Sequence, residues 1–220
     1  MRQLSRSAIQ ELYTVGIDRY SSFIGFFRSQ QATPALLQSS DLLRPGLRVL
    51  DAGCGFGMVT FALLDALQQR NFDYQRVDAF DLTPAMLARF RQTLETHGIP
   101  RVQLRQADVL ALDTLPPSWT DYDLIVSASM LEYLPRQELP RALEALRTRL
   151  APGGDILIVI SRKVPETKAL IQWWWHAERY TGRELRRIFE QAGIQDPEFR
   201  RFPARYFWLN RANYVVGTRR

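Results

Sequence analysis

The 220-residue chain has one cysteine, Cys54, and two histidines, His97 and His176. A lone thiol excludes an internal disulfide and any multi-cysteine metal site, so no metal is expected and a reducing cytoplasm is the expected compartment. Lysine is almost missing: only Lys163 and Lys168 occur, against 27 arginines. No apolar run approaches the roughly 18 residues of a membrane span. The first residues, Met-Arg-Gln-Leu-Ser-Arg-Ser, lack the apolar segment of a secretory leader. Internal repeats and low-complexity linkers are absent too. These absences leave an ordinary water-soluble globular chain, with 46% hydrophobic and 24% charged residues, long enough for one full core.

Charge is distributed unevenly. The net +6 is concentrated in residues 183–220, where nine arginines face Glu184, Glu190, Asp196 and Glu198. Such a tail attracts carboxylates, phosphates, membrane surfaces or RNA. It equally reads as solvated surface charge, since no contiguous basic helix appears.

Hydrophobic runs alternate between strand and helix, the pattern of a parallel sheet covered on both faces. Residues 7–40 are expected to be helical and carry Tyr13, Tyr20, Phe23, Phe26 and Phe27. Strands are expected at about 47–51, 76–80, 102–107, 123–127 and 156–160. A helix is expected over 58–70, and another begins at Thr83 with Pro84 in its first turn. His97 is expected in the loop after that second helix. Leu139, Leu143, Leu146 and Leu150 fall at helical spacing, with Pro152-Gly153-Gly154 as the expected stop. Thr181 and Glu184 form a capping box ahead of Leu185, Ile188, Phe189 and Ala192. Phe199–Phe202 and Tyr214–Gly217 read as a closing hairpin.

The most informative segment is residues 49–57, Val-Leu-Asp-Ala-Gly-Cys-Gly-Phe-Gly. Gly53, Gly55 and Gly57 lie between a strand end and a helix start, where backbone can press against a ligand. An NAD site would use G-x-G-x-x-G against a pyrophosphate. Here an acid, Asp51, precedes G-x-G-x-G, and a carboxylate beside a pyrophosphate is repulsive. Asp81 and Asp108 each follow their own strand. One strand-end aspartate is most simply a turn or helix cap, but three in succession are harder to explain that way.

These residues resemble the class I S-adenosylmethionine-dependent methyltransferases, from about Leu43 to Ile160. Leu150-Ala151-Pro152-Gly153-Gly154 matches the family's turn before strand five. The resemblance implies a Rossmann-like, seven-stranded, mostly parallel sheet with helices on both faces and a C-terminal antiparallel hairpin. It implies one domain over 1–220: a helical cap to residue 40, a cofactor-binding core over 41–160, a cap insertion over 161–180, then the last helix and hairpin. It also implies S-adenosylmethionine as cofactor and S-adenosylhomocysteine as product. Asp51, Gly53, Gly55 and Gly57 would face the amino acid and sugar, Asp81 with Leu82 the ribose, and Asp108 with Val109 the adenine. Ser127 and Met130 would line the donor pocket.

Methyl transfer asks mainly for alignment and exclusion of water. Tyr133 is a candidate for orienting the acceptor, and reads equally as a helix packing residue. His176, beside Trp173, Trp174 and Trp175, is the candidate base, though a structural histidine is the simpler account. The aromatic segments 7–30, 161–180 and 203–210 point to an aromatic or apolar small-molecule acceptor, methylated on oxygen or nitrogen. No Asn/Asp-Pro-Pro-Tyr motif occurs and Cys54 is inside the glycine loop, so nucleic acid is not the expected substrate. An RNA or protein methyltransferase using the arginines, or a non-catalytic S-adenosylmethionine-binding protein, are the alternatives. A monomer or homodimer is expected.

Overall fold

The computed structural model describes residues 29–165 and 177–218. His176, Trp173, Trp174 and Trp175 lie outside these residues, as does most of the aromatic N-terminal stretch. Seven strands make one sheet: β1 (Leu47–Ala52), β2 (Tyr74–Asp81), β3 (Val102–Gln106), β4 (Tyr122–Ala128), β5 (Leu150–Ser161), β6 (Glu198–Arg200) and β7 (Asn213–Gly217). Their spatial order is β3-β2-β1-β4-β5-β7-β6. The pairs among β1 to β5 are parallel, and β7 runs antiparallel to both β5 and β6.

Six helices are described: α1 (Ser29–Ser39), α2 (Met58–Gln69), α3 (Pro84–His97), α4 (Leu139–Arg147), α5 (Gly182–Gln191) and α6 (Phe207–Ala212). Side chains alternate along each strand, so each face meets its own helices. On one face Leu47, Val49, Val77, Leu124 and Val126 pack under α1 and α2. Phe90, Leu87 and Leu94 of α3 close on Ala79 and Cys54. On the other face Leu50, Phe80, Ile125, Ile156 and Ile158 bury Leu139, Leu143 and Leu146 of α4 with Leu185 and Phe189 of α5. Each fully buried side chain of this size contributes about 1.5–3 kcal/mol.

Two local expectations change. Leu150 does not extend α4: the helix ends at Arg147, and Leu150 opens β5 opposite Tyr122. The Tyr122 amide donates to the carbonyl of Arg149 at 3.0 Å, so the ladder captures the chain before the Pro-Gly-Gly turn. That turn is therefore an irregularity inside β5, between the Tyr122↔Leu150 and Leu124↔Asp155 pairs, and not a helix stop. A Cβ on Gly154 would stand 2.5 Å from the carbonyl oxygen of Tyr122, which is why the segment needs glycine there. His97 is the last residue of α3 and not a loop residue.

Candidate active site

The five parallel strands all end on one edge, and there the loops after β1, β2, β3 and β4 surround a cavity of about 420 Å³. The crevice lies beside β1, where the strand order reverses, which is the usual ligand position in an open α/β sheet. Gly53 and Gly55 supply its β1 wall, and Asp81, Leu82 and Thr83 its β2 wall. Asp108 and Val109 enter after β3, and Ser129, Met130 and Tyr133 after β4.

Asp81 organises the two loops nearest β1. Its Oδ2 accepts the Gly55 N–H at 2.8 Å and its Oδ1 accepts the Thr83 N–H at 2.8 Å. Burial pushes its pKa up, and these amide donors oppose the rise. The Gly53 and Cys54 amides donate to the Phe80 carbonyl at 2.8 and 3.0 Å, pinning the glycine loop to β2. Asp108 accepts the Leu110 N–H at 2.9 Å, which fixes the turn after β3.

The three glycines serve different ends. A Cβ on Gly53 would fall 2.2 Å from Met130 Cγ, so its bareness admits a side chain of the opposite wall. A Cβ on Gly57 would fall 2.3 Å from the Phe90 ring, so Gly57 permits α3 to close on the start of α2. Only Gly55, of these three, has open space where a Cβ would point, and it lines the cavity.

Of the sequence-derived site residues that are described, three do not line the cavity: Asp51, Gly57 and Ser127. Asp51 points to the face covered by α2, where its Oδ2 accepts the Thr60 hydroxyl at 2.7 Å. It is 1% exposed, and its Oδ1 has no hydrogen-bond partner among the described residues. Burial pushes its pKa up to about 7; the Thr60 hydroxyl opposes this and the Asp81 charge adds to it. Ser127 faces the other core, buried and with no hydrogen-bond partner for its hydroxyl among the described residues. Gly57 is spent on the Phe90 contact.

Several contributors escaped the sequence reading. Met86, Leu134 and Pro135 add apolar wall, and Glu138 with Arg141 stands at the same cavity. Glu132 is 4% exposed and accepts both the amide and the hydroxyl of Ser161, at 2.9 and 3.0 Å. Its own carbonyl accepts the Glu178 amide at 2.7 Å. This carboxyl ties the loop carrying Met130 and Tyr133 to the end of β5, and burial raises its pKa to about 7. The only signal in the sequence is an acid set between Leu131 and Tyr133. The 203–210 segment, expected over the acceptor, instead lays Tyr206 against α1: its hydroxyl donates to the Gln31 carbonyl at 3.2 Å. Among the described residues no cluster suits a metal ion, and no helix is long and apolar enough to cross a membrane.

Residues 49–154 match the family described as a methyltransferase domain. A carboxy-S-adenosyl-L-methionine synthase of Chromohalobacter salexigens is 34% identical over 141 residues, spanning 63% of this chain and 47% of that one. A malonyl-[acyl-carrier protein] O-methyltransferase of Halalkalibacterium halodurans is 31% identical over 119 residues, 54% of this chain and 40% of that one. The chain thus spans about half the length of the curated relatives it matches. Among solved structures, magnesium protoporphyrin IX methyltransferase from Synechocystis, with bound SAH, superposes with a TM-score of 0.68 at 16% identity. That match covers 97% of this chain and 98% of the other, and speaks for the fold.

Proposed function

We propose that the chain is a class I S-adenosylmethionine-dependent methyltransferase that transfers a methyl group to oxygen or nitrogen of a small-molecule acceptor, a reading supported by the methyltransferase-domain match and the relatives above. The observation that carries this reading is one cavity lined by Gly55, Asp81 and Asp108 from three successive strand ends. The lining suits the cofactor: bare backbone at Gly55, acceptor oxygens at Asp81 and Asp108, and apolar walls from Leu82, Val109 and Met130. Asp81 would accept the ribose hydroxyls and Asp108 the adenine amino group.

S-adenosylmethionine supplies a methyl group already activated on a sulfonium. The protein's part is then to fix the acceptor and keep water away. Met130, Leu134 and Pro135 give the cavity an apolar side that excludes water. Tyr133 lines the cavity near Met130, which supports a part for it in orienting the acceptor. Glu132 acts as a positioning residue, holding that loop to Ser161. A base is required only where the acceptor keeps its proton at working pH.

Calorimetric titration with S-adenosylmethionine and S-adenosylhomocysteine tests the reading. The native chain is expected to bind both. Asp108→Ala and Asp81→Ala are each expected to weaken binding tenfold or more, since a hydrogen bond to a charged group contributes about 1.5–3 kcal/mol. A folded native chain that binds neither ligand sinks the reading. Binding without turnover on a broad panel of hydroxyl and amine acceptors would favour a non-catalytic binding protein.

A further inference from the structure

Six arginines, Arg162, Arg183, Arg186, Arg200, Arg201 and Arg211, line a second cleft, of about 960 Å³. They come from four stretches of chain: the end of β5, the first turns of α5, the end of β6 with the residue after it, and α6. Asn213 of β7 pairs with Ser161 of β5, and Arg200 of β6 with Val215 of β7. The cleft therefore shares the carboxyl edge of the sheet with the first cavity, over the opposite half.

No aspartate or glutamate is among its described lining residues. Arg200 is offset from the side by Asp41 at 2.5 Å and Glu198 at 3.0 Å. Arg162 lies over the Tyr214 ring, 4.4 Å from its centroid, and Arg186 over Phe199 at 5.3 Å. These ring contacts hold guanidinium planes in place without neutralising them. Arg183 and Arg201 are exposed and have no ion-pair or hydrogen-bond partner among the described residues. Phe207, 64% exposed, lines the same cleft and is the one large exposed hydrophobic among the described residues.

Scattered surface arginines repel and spread; this fold gathers six of them in one cleft whose described lining holds no acid. A concave site of one sign focuses its field on an oppositely charged ligand. The guanidinium fork matches carboxylate and phosphate oxygens in pairs. Phe207 adds apolar surface for the body of the ligand.

We propose that this cleft binds an organic anion carrying two or more phosphate or carboxylate groups on an apolar or flat body. The inference stands apart from methyl transfer, because it uses none of the residues lining the first cavity. The test is calorimetric titration of the full chain at low salt with inorganic pyrophosphate and, separately, citrate. Tighter pyrophosphate binding marks a phosphate ligand and tighter citrate binding a carboxylate ligand; either supports the site.

Arg183→Ala/Arg201→Ala is expected to weaken the preferred anion about tenfold or more, on the strength of charge-assisted bonds. Phe207→Ser is expected to weaken 1-naphthyl phosphate while leaving pyrophosphate unchanged. The exposed pair Arg91→Ala/Arg105→Ala, remote from the cleft, is the control and should bind as the native chain does. No binding of either anion by folded native protein overturns the proposal, as does an equal loss in the control pair. S-adenosylhomocysteine titrated into the same samples reads the first cavity independently.

Discussion

Gly55 and Gly57 lie two residues apart, with left-handed φ of +54° and +95°, yet an added methyl would meet different surroundings. At Gly55 it meets nothing, so Gly55→Ala is expected to cost only the left-handed penalty, about 1 kcal/mol. It projects into space a ligand needs, so S-adenosylhomocysteine binding should weaken tenfold or more. Gly57→Ala drives a methyl into Phe90, a ring buried against Phe61 with centroids 5.2 Å apart. That variant is expected to lose about 3 kcal/mol or more of stability. Urea unfolding and calorimetry on both variants check the contrast: Gly55→Ala should fail in binding and Gly57→Ala in folding. Asp81 and Asp108 were legible because a strand-end acid is a local signal. The fates of Asp51 and Ser127 were not. Both faces of β1 and β4 are apolar, so the sequence has no polar alternation to tell which way a residue points.

Among the elements, α5 was the most completely legible. Thr181 Oγ1 accepts the Glu184 amide at 3.3 Å while Glu184 Oε2 accepts the Thr181 amide at 2.7 Å. Leu185, Ile188 and Phe189 form the buried face that the spacing implies. Thr181→Ala removes half of this reciprocal cap, and thermal or urea unfolding should show a loss of about 1 kcal/mol. The start of β5 was not legible, because Leu150 fits the α4 period as well as it fits a strand. Only the Tyr122 amide, 28 residues earlier, decides between them. Contacts so distant in sequence leave no trace in a local pattern. The arginine cleft is hidden for the same reason: its side chains are assembled by β6 and β7 pairing at the sheet edge, not by any run of basic residues.

For the molecule as a whole, Asp51 and Glu132 set a pH dependence with a definite sign. Both carboxyls are raised by burial to about 7 from ordinary values of 3.8 and 4.5. From about pH 4 to pH 7 the unfolded chain releases these protons while the native chain retains them. Their contribution to stability therefore falls as pH rises through that window and levels off above it. Asp51→Asn/Glu132→Gln should flatten this part of the profile, seen as a smaller change in urea midpoint between about pH 5 and about pH 8 than in the native chain. An unchanged difference would mean these two carboxyls titrate normally. The sheet order holds a further consequence for how the protein is made. β7 follows β6 in the chain but is inserted between β6 and β5, so β6 has no strand to join until residue 217 has been synthesised. Until then the nascent protein presents β5 as an open edge, able to pair with the same strand of a neighbouring nascent chain. Quality of production should thus depend on how quickly the segment after Ala212 is delivered.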